Sequence, residues 1–127
     1  MEQPARERIT LVEALELTGP FSVFETVIQA AATRLEREGV RGLVSLQFHG
    51  RPDSTEVGAV ITFADASQVM DHIRMISGWP EFKALLDVVK PVDIRVYGRL
   101  GEEAKAWLRE RNVVSKVFET PVAGFVR

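Results

Sequence analysis

The chain has 127 residues, 46% of them hydrophobic and 27% charged, which suits one globular domain with its own core and excludes a disordered or fibrous chain. Sixteen basic residues against eighteen acidic ones leave a formal charge of −2, and the basic side chains are scattered along the chain, which argues against nucleic acid as a partner. There is no cysteine, so disulfides, thiolate metal ligands and a thiol nucleophile are excluded, and a reducing cytoplasm is the expected compartment. Met1 to Arg8 is polar and charged, and no segment approaches the roughly 18 apolar residues of a membrane span, so neither a signal peptide nor a membrane partner is expected.

In chain order, Ile9 to Leu17 alternates Ile9, Leu11, Glu13, Leu15 and Leu17 against Thr10, Val12, Ala14 and Glu16, which predicts a strand, although Glu-Ala-Leu-Glu-Leu is also compatible with a helix. Thr18-Gly19-Pro20 interrupts it. Ser22 and Glu25 have capping-box spacing, opening a helix that runs to about Glu38, buries Phe24, Val27, Ile28, Ala31 and Leu35, and stops at a left-handed Gly39. Two alternating segments follow, Gly42 to His49 and Val57 to Phe63, joined through Gly50-Arg51-Pro52-Asp53-Ser54 as a hairpin. Asp65 and Gln68 mark the start of a helix with Val69, Ile73 and Ile76 on one face, ended by Ser77-Gly78. Pro80 then fits the first turn of a new helix, in which Phe82, Leu85, Leu86 and Val89 recur at helical spacing until Pro91 closes it. Val92, Ile94 and Val96 alternate in a fourth strand. Glu102 to Arg111 reads as a short amphipathic helix around Ala106, Trp107 and Leu108, and Val114 to Val126 as a final extended segment whose Thr120-Pro121 suits a sheet edge.

The order βαββαβ, with a split second helix and a trailing helix and strand, is the α+β ferredoxin-like plan. It predicts a single domain over residues 1–127, with a core at about 9–98 and a C-terminal extension at about 99–127. The fourth-strand pattern and the helix restart at Trp79-Pro80-Glu81-Phe82-Lys83 resemble the dimeric α+β barrel superfamily, in particular its antibiotic-biosynthesis-monooxygenase-like branch, over roughly Ile9 to Tyr97. The resemblance implies two ferredoxin-like units packed sheet to sheet, helices outside, and a small pocket between the helices and the sheet of each subunit. The residues make independent sense of a homodimer. One sheet face, with Val44, Leu46, Phe48, Ile61, Phe63, Ile94 and Val96, would take the helices. The other, with Thr10, Val12, Ala14, Ser45, Gln47, Val60, Thr62, Arg95 and Tyr97, is too apolar at its centre to be left wet and calls for an isologous partner. The apolar-rich tail, Val114 to Val126, either covers its own subunit or swaps onto that partner, the swap closing an otherwise open edge.

Four side chains are candidates for a site. Glu13 falls on the row of Leu11 and Leu15, where a carboxylate facing the helices is costly unless it meets a cavity or a partner; it is a candidate proton acceptor, the alternative being a bulged strand with Glu13 solvated or paired to an arginine. His72 lies one residue off the Val69/Ile73 face and is a second candidate for proton transfer, or else a boundary residue. Trp79 and Phe82 flank the helix break and would form an aromatic wall for a flat substrate, or else cap the core. The polar set Gln47, His49, Asp93, Arg95 and Tyr97 reads better as a hydrogen-bond network in the dimer interface than as a site.

The chain departs from the resembled family where it carries Glu81 and Ile76 in place of histidines near the helix restart. Its only asparagine, Asn112, is far from the first strand that supplies one in the haem-degrading branch. No haem, nucleotide cofactor or metal is therefore expected, and no P-loop, dinucleotide or nucleophile-elbow motif is present. Two functions remain. One is a cofactor-independent monooxygenase, isomerase or cyclase acting on a small aromatic or polyketide-like substrate with Glu13 or His72 as base. The other is a non-catalytic homodimer that binds a small hydrophobic ligand or only pairs with itself.

Overall fold

Hydrophobic alternation along the strands decides which face of the sheet takes the helices. A computed structural model of the protein describes residues 7–127. The elements are β1 (Ile9–Leu17), α1 (Phe21–Glu38), β2 (Leu43–Gly50), β3 (Glu56–Phe63), α2 (Ala66–Ile76), α3 (Pro80–Leu86), β4 (Val89–Tyr97), α4 (Glu102–Glu110) and β5 (Ser115–Phe118). The sheet runs β2-β3-β1-β4-β5, antiparallel throughout except for the parallel β4-β5 pair, which is the ferredoxin-like order with one strand added at the β4 edge.

On β1 the odd-numbered residues face the helices. Ile9 is opposite Phe63 on β3, and these two with Val96 are the most deeply buried large side chains. The even-numbered residues face away: Thr10 and Thr62 pair across the strands with their hydroxyls 3.1 Å apart, and Val12 pairs with Val60, both exposed. Two buried clusters fill the helix side. One gathers Ile9, Phe63, Val69 and Val96 with Leu100, Ala104 and Leu108 of the α4 segment; the other gathers Phe24, Ile28 and Ala31 of α1 with Leu15, Leu17, Val57 and Val89. Gly98 ends β4 with φ +131°, and a Cβ there would come within 2.8 Å of the Arg8 carbonyl oxygen, so the chain needs glycine at that bend.

Several local expectations are corrected. The first helix is capped by Pro20, with no side-chain bond, and starts at Phe21, so the Ser22 and Glu25 spacing is not a capping box; the Ser22 carbonyl instead accepts from the Thr26 hydroxyl. Gly39 has φ −68°, extended rather than left-handed, and its N–H donates to the Leu35 carbonyl. At α2 the Asp65 carboxylate accepts from the Ser67 N–H, while Gln68 leaves the cap to accept from Gly42 N–H, tying the helix to the start of β2. Val44 is 45% exposed, because the register slips between Leu43 and Ser45 and Leu43 takes the inward place. β4 begins at Val89, before Pro91. A second slip opposite Ala14 and Leu15 accommodates the proline and leaves Val92 exposed. The helix restarted at Pro80 therefore ends at Leu86, and the last strand is only Ser115–Phe118, at the sheet edge.

Phe63 has the largest side chain buried to this depth, so Phe63→Ala is expected to cost about 3–5 kcal/mol, read as a lower urea midpoint with an unchanged slope.

Candidate functional site

Between the helices and the sheet lies a cavity of about 220 Å³ whose walls draw on both buried clusters. The wall is almost wholly hydrocarbon and aromatic. Among the described residues that line it, only Glu13 and His72 are titratable, and no lysine or arginine is present.

Glu13 reaches the cavity because β1 alternates without interruption up to Ala14. Its cross-strand partners are Ala59 on β3 and Ile94 on β4, both buried and apolar, so neither offers its carboxyl a hydrogen bond or a counter-charge. Removal from water without compensation penalises the charged form, and burial pushes the Glu13 carboxyl up to about 7. His72 comes from the facing layer, on α2. It is 8% exposed, stands edge-on to the Phe63 ring at 5.3 Å between centroids, and its buried Nδ1 has no hydrogen-bond partner among the described residues. Burial lowers its pKa to about 4, so the imidazole is neutral at neutral pH.

The helix break places the aromatic residues. Trp79 caps α3 from the extended conformation, Pro80 occupies the first turn, and Trp79 and Phe82 both line the cavity. The Arg34 guanidinium of α1 lies 4.0 Å from the centre of the Trp79 ring and donates to Glu81 at 2.9 Å, which fixes the indole and ties α1 to α3. The structure thus brings Glu13, His72, Trp79 and Phe82 to one cavity. It also adds residues that the pattern of the extension left unassigned: Leu100, Ala104, Trp107, Leu108 and Val113 complete the wall, and Arg111 lies over Trp107 at 4.3 Å. The spacing of Ala104 and Leu108 was the available signal, since both sit on the helix face that Trp107 adjoins.

Of the polar set, Arg95 Nε donates to Asp93 at 3.1 Å and Arg95 also interacts with the Tyr97 side chain; Asp93 and Arg95 line an open trough of about 770 Å³ on the other sheet face with His49 and Arg51, and Tyr97 stacks on Phe118 at 5.2 Å. Among the described residues no group of three His, Cys, Asp or Glu side chains is placed to hold a metal ion, and no helix is long and apolar enough to cross a membrane.

No protein-family model matches the chain, and no curated protein matches it in sequence. Solved structures match it in fold. MupZ from Pseudomonas fluorescens aligns over 95% of each chain with a TM-score of 0.70 at 18% identity. SnoaB from Streptomyces nogalater, a cofactor-independent oxygenase, aligns over 76% of this chain and 96% of its own, with a TM-score of 0.62 at 15% identity. A Bordetella bronchiseptica protein assigned to the antibiotic biosynthesis monooxygenases aligns over 73% of this chain and 97% of its own, with a TM-score of 0.57 at 15% identity. The chain therefore shares its ferredoxin-like fold with these proteins, as the helix restart and strand order implied.

The two titratable groups have opposite pH signatures. Glu13 holds its proton more tightly in the folded chain, so its stabilising effect is complete below about 4.5 and is lost as pH rises through about 7. His72 holds its proton less tightly when folded, so its effect is complete above about 6.5 and is lost as pH falls through about 4. Over the shared window the slopes oppose and nearly cancel. Glu13→Gln should therefore expose a loss of stability toward acid, and His72→Phe a loss toward pH 8, each about 2–3 kcal/mol in urea unfolding across the window.

Proposed function

We propose that the protein is a cofactor-independent oxygenase that removes a proton from a small aromatic or polyketide-like substrate and passes the resulting carbanion to dioxygen. The observation that carries this reading is a single carboxyl, poised near neutrality by burial, on the wall of an otherwise apolar cavity. A general base is most effective when its pKa lies near the working pH, and an apolar pocket suits a flat ring substrate. Glu13 takes the proton from an activated C–H. The carbanion gives one electron to dioxygen, the radical pair combines as a peroxide, and Glu13 returns the proton to it. Loss of water then converts the original methylene to a carbonyl, so one dioxygen yields one product carbonyl and one water. Trp79 and Phe82 position the ring. SnoaB, which shares the fold, is a cofactor-independent oxygenase, and that likeness supports the same class here.

A dihydroxyanthrone, with an acidic methylene and a delocalised carbanion, is the test substrate. The expected result is stoichiometric dioxygen uptake that rises with pH to a plateau above about 7, and falls at least about 100-fold in Glu13→Gln with binding retained. Binding without dioxygen uptake would leave the protein a ligand-binding module instead.

The same reading includes a homodimer. Val12 and Val60 are exposed side by side on the open sheet face, and the tail presents Val122, Phe125 and Val126 at 93%, 76% and 56% exposure, apolar area that a second copy would cover. Removing the residues after Thr120 should weaken the dimer, and a truncated chain that stays fully dimeric at micromolar dilution in sedimentation velocity would exclude exchange of the tail.

A further inference from the structure

We infer that His72 is the polar clamp of the cavity, donating a hydrogen bond to the carbonyl oxygen of a neutral, enolisable ketone whose adjacent C–H faces Glu13. This deepens the oxygenase reading and rests on it for the role of Glu13.

The geometry is that of two walls. Glu13 enters from β1 in the sheet layer and His72 from α2 in the helix layer, and the remaining described lining is apolar or aromatic. A small ketone lying between those walls can turn its oxygen toward His72 and its acidic carbon toward Glu13. The His72 ring is held edge-on to Phe63 and is nine-tenths buried, yet Nδ1 has no hydrogen-bond partner among the described residues. A buried polar atom without a partner typically costs about 1–3 kcal/mol, which a phenylalanine or leucine at the same place would avoid.

The chemistry of the pair narrows the substrate. Loss of a proton from the carbon next to a carbonyl moves negative charge onto the oxygen, and a hydrogen-bond donor on the cavity wall stabilises the charge as it develops. His72 is uncharged at neutral pH and can act as such a donor without first losing a proton to Glu13. With no lysine or arginine in the described lining and a carboxylate present once Glu13 ionises, carboxylates and phosphates are poor occupants, and a neutral carbonyl compound is favoured.

The test uses the full chain without oxygen and two ligands of the same ring skeleton, β-tetralone and tetralin, with binding read from quenching of Trp79 and Trp107. The wild type should prefer the ketone about tenfold. His72→Phe should abolish the preference, and His72→Gln, which keeps a donor, should restore part of it, with thermal unfolding checked for each variant. Solvent deuterium should enter the benzylic methylene of β-tetralone in the wild type. Exchange should slow in His72→Phe and stop in Glu13→Gln, which keeps the ketone preference. A preference that survives His72→Phe, or equal binding of the two ligands by the wild type, overturns the clamp and leaves the cavity reading intact. A His72-dependent preference without deuterium exchange supports the clamp and overturns Glu13 as the base. Binding of neither ligand overturns both.

Discussion

The period-two alternation of β1 forces a carboxyl into the apolar layer, and the rest of the site depends on that constraint. A strand cannot turn one residue outward without moving its neighbours, and Leu11 and Leu15 on either side of Glu13 both belong to the helix-covered face. The strand is central, so Glu13 is enclosed by β3 on one side and β4 on the other, through Ala59 and Ile94. The carboxyl cannot share its charge with either. In a filled core such a carboxyl would be a structural liability, whereas here it lies on the wall of a cavity.

The remaining elements shape that cavity. The break between α2 and α3 frees Trp79 to adopt an extended conformation, and Arg34 pins its ring from α1. The segment after β4 turns at Gly98 and lays α4 over the other cluster, so that Ala104, Trp107 and Leu108 close the wall. Ion pairs from Arg74 to Glu103 and from Lys105 to Glu119 join α4 to α2 and to the chain just beyond β5. These exposed pairs contribute little each, and buried Leu100, Ala104 and Leu108 hold the segment in place. The C-terminal extension thus forms part of the cavity wall.

Much of this was legible in the sequence, and the remainder was hidden for physical reasons. Alternation showed the strands and the inward row of Glu13, and Trp79-Pro80 showed the helix restart, because these depend on local stereochemistry. The slips at Val44 and Val92 were not legible, since a bulge is set by the register of the partner strand. The capping residues were misread where a side chain had a better partner elsewhere, as Gln68 does in Gly42. His72 was left between a proton-transfer candidate and a boundary residue because the apolar stripe of α2 was drawn through Val69 and Ile73, whereas the buried face includes Val69, Met70 and His72. The role of Trp107 depends on where a whole helix docks, which spacing alone does not specify.

The fold is shared with proteins at 15–18% identity, a level at which chemistry must be argued from this chain's own side chains. The proposed chemistry requires Glu13 to carry a proton into the neutral range inside an apolar cavity. Its most direct test is a carbon-13 NMR titration of the glutamate side-chain carboxyls, with Glu13→Gln assigning the resonance. The Glu13 signal should titrate near 7. A midpoint at the ordinary glutamate value of 4.5 would mean that the carboxyl is solvated and would contradict the proposed site.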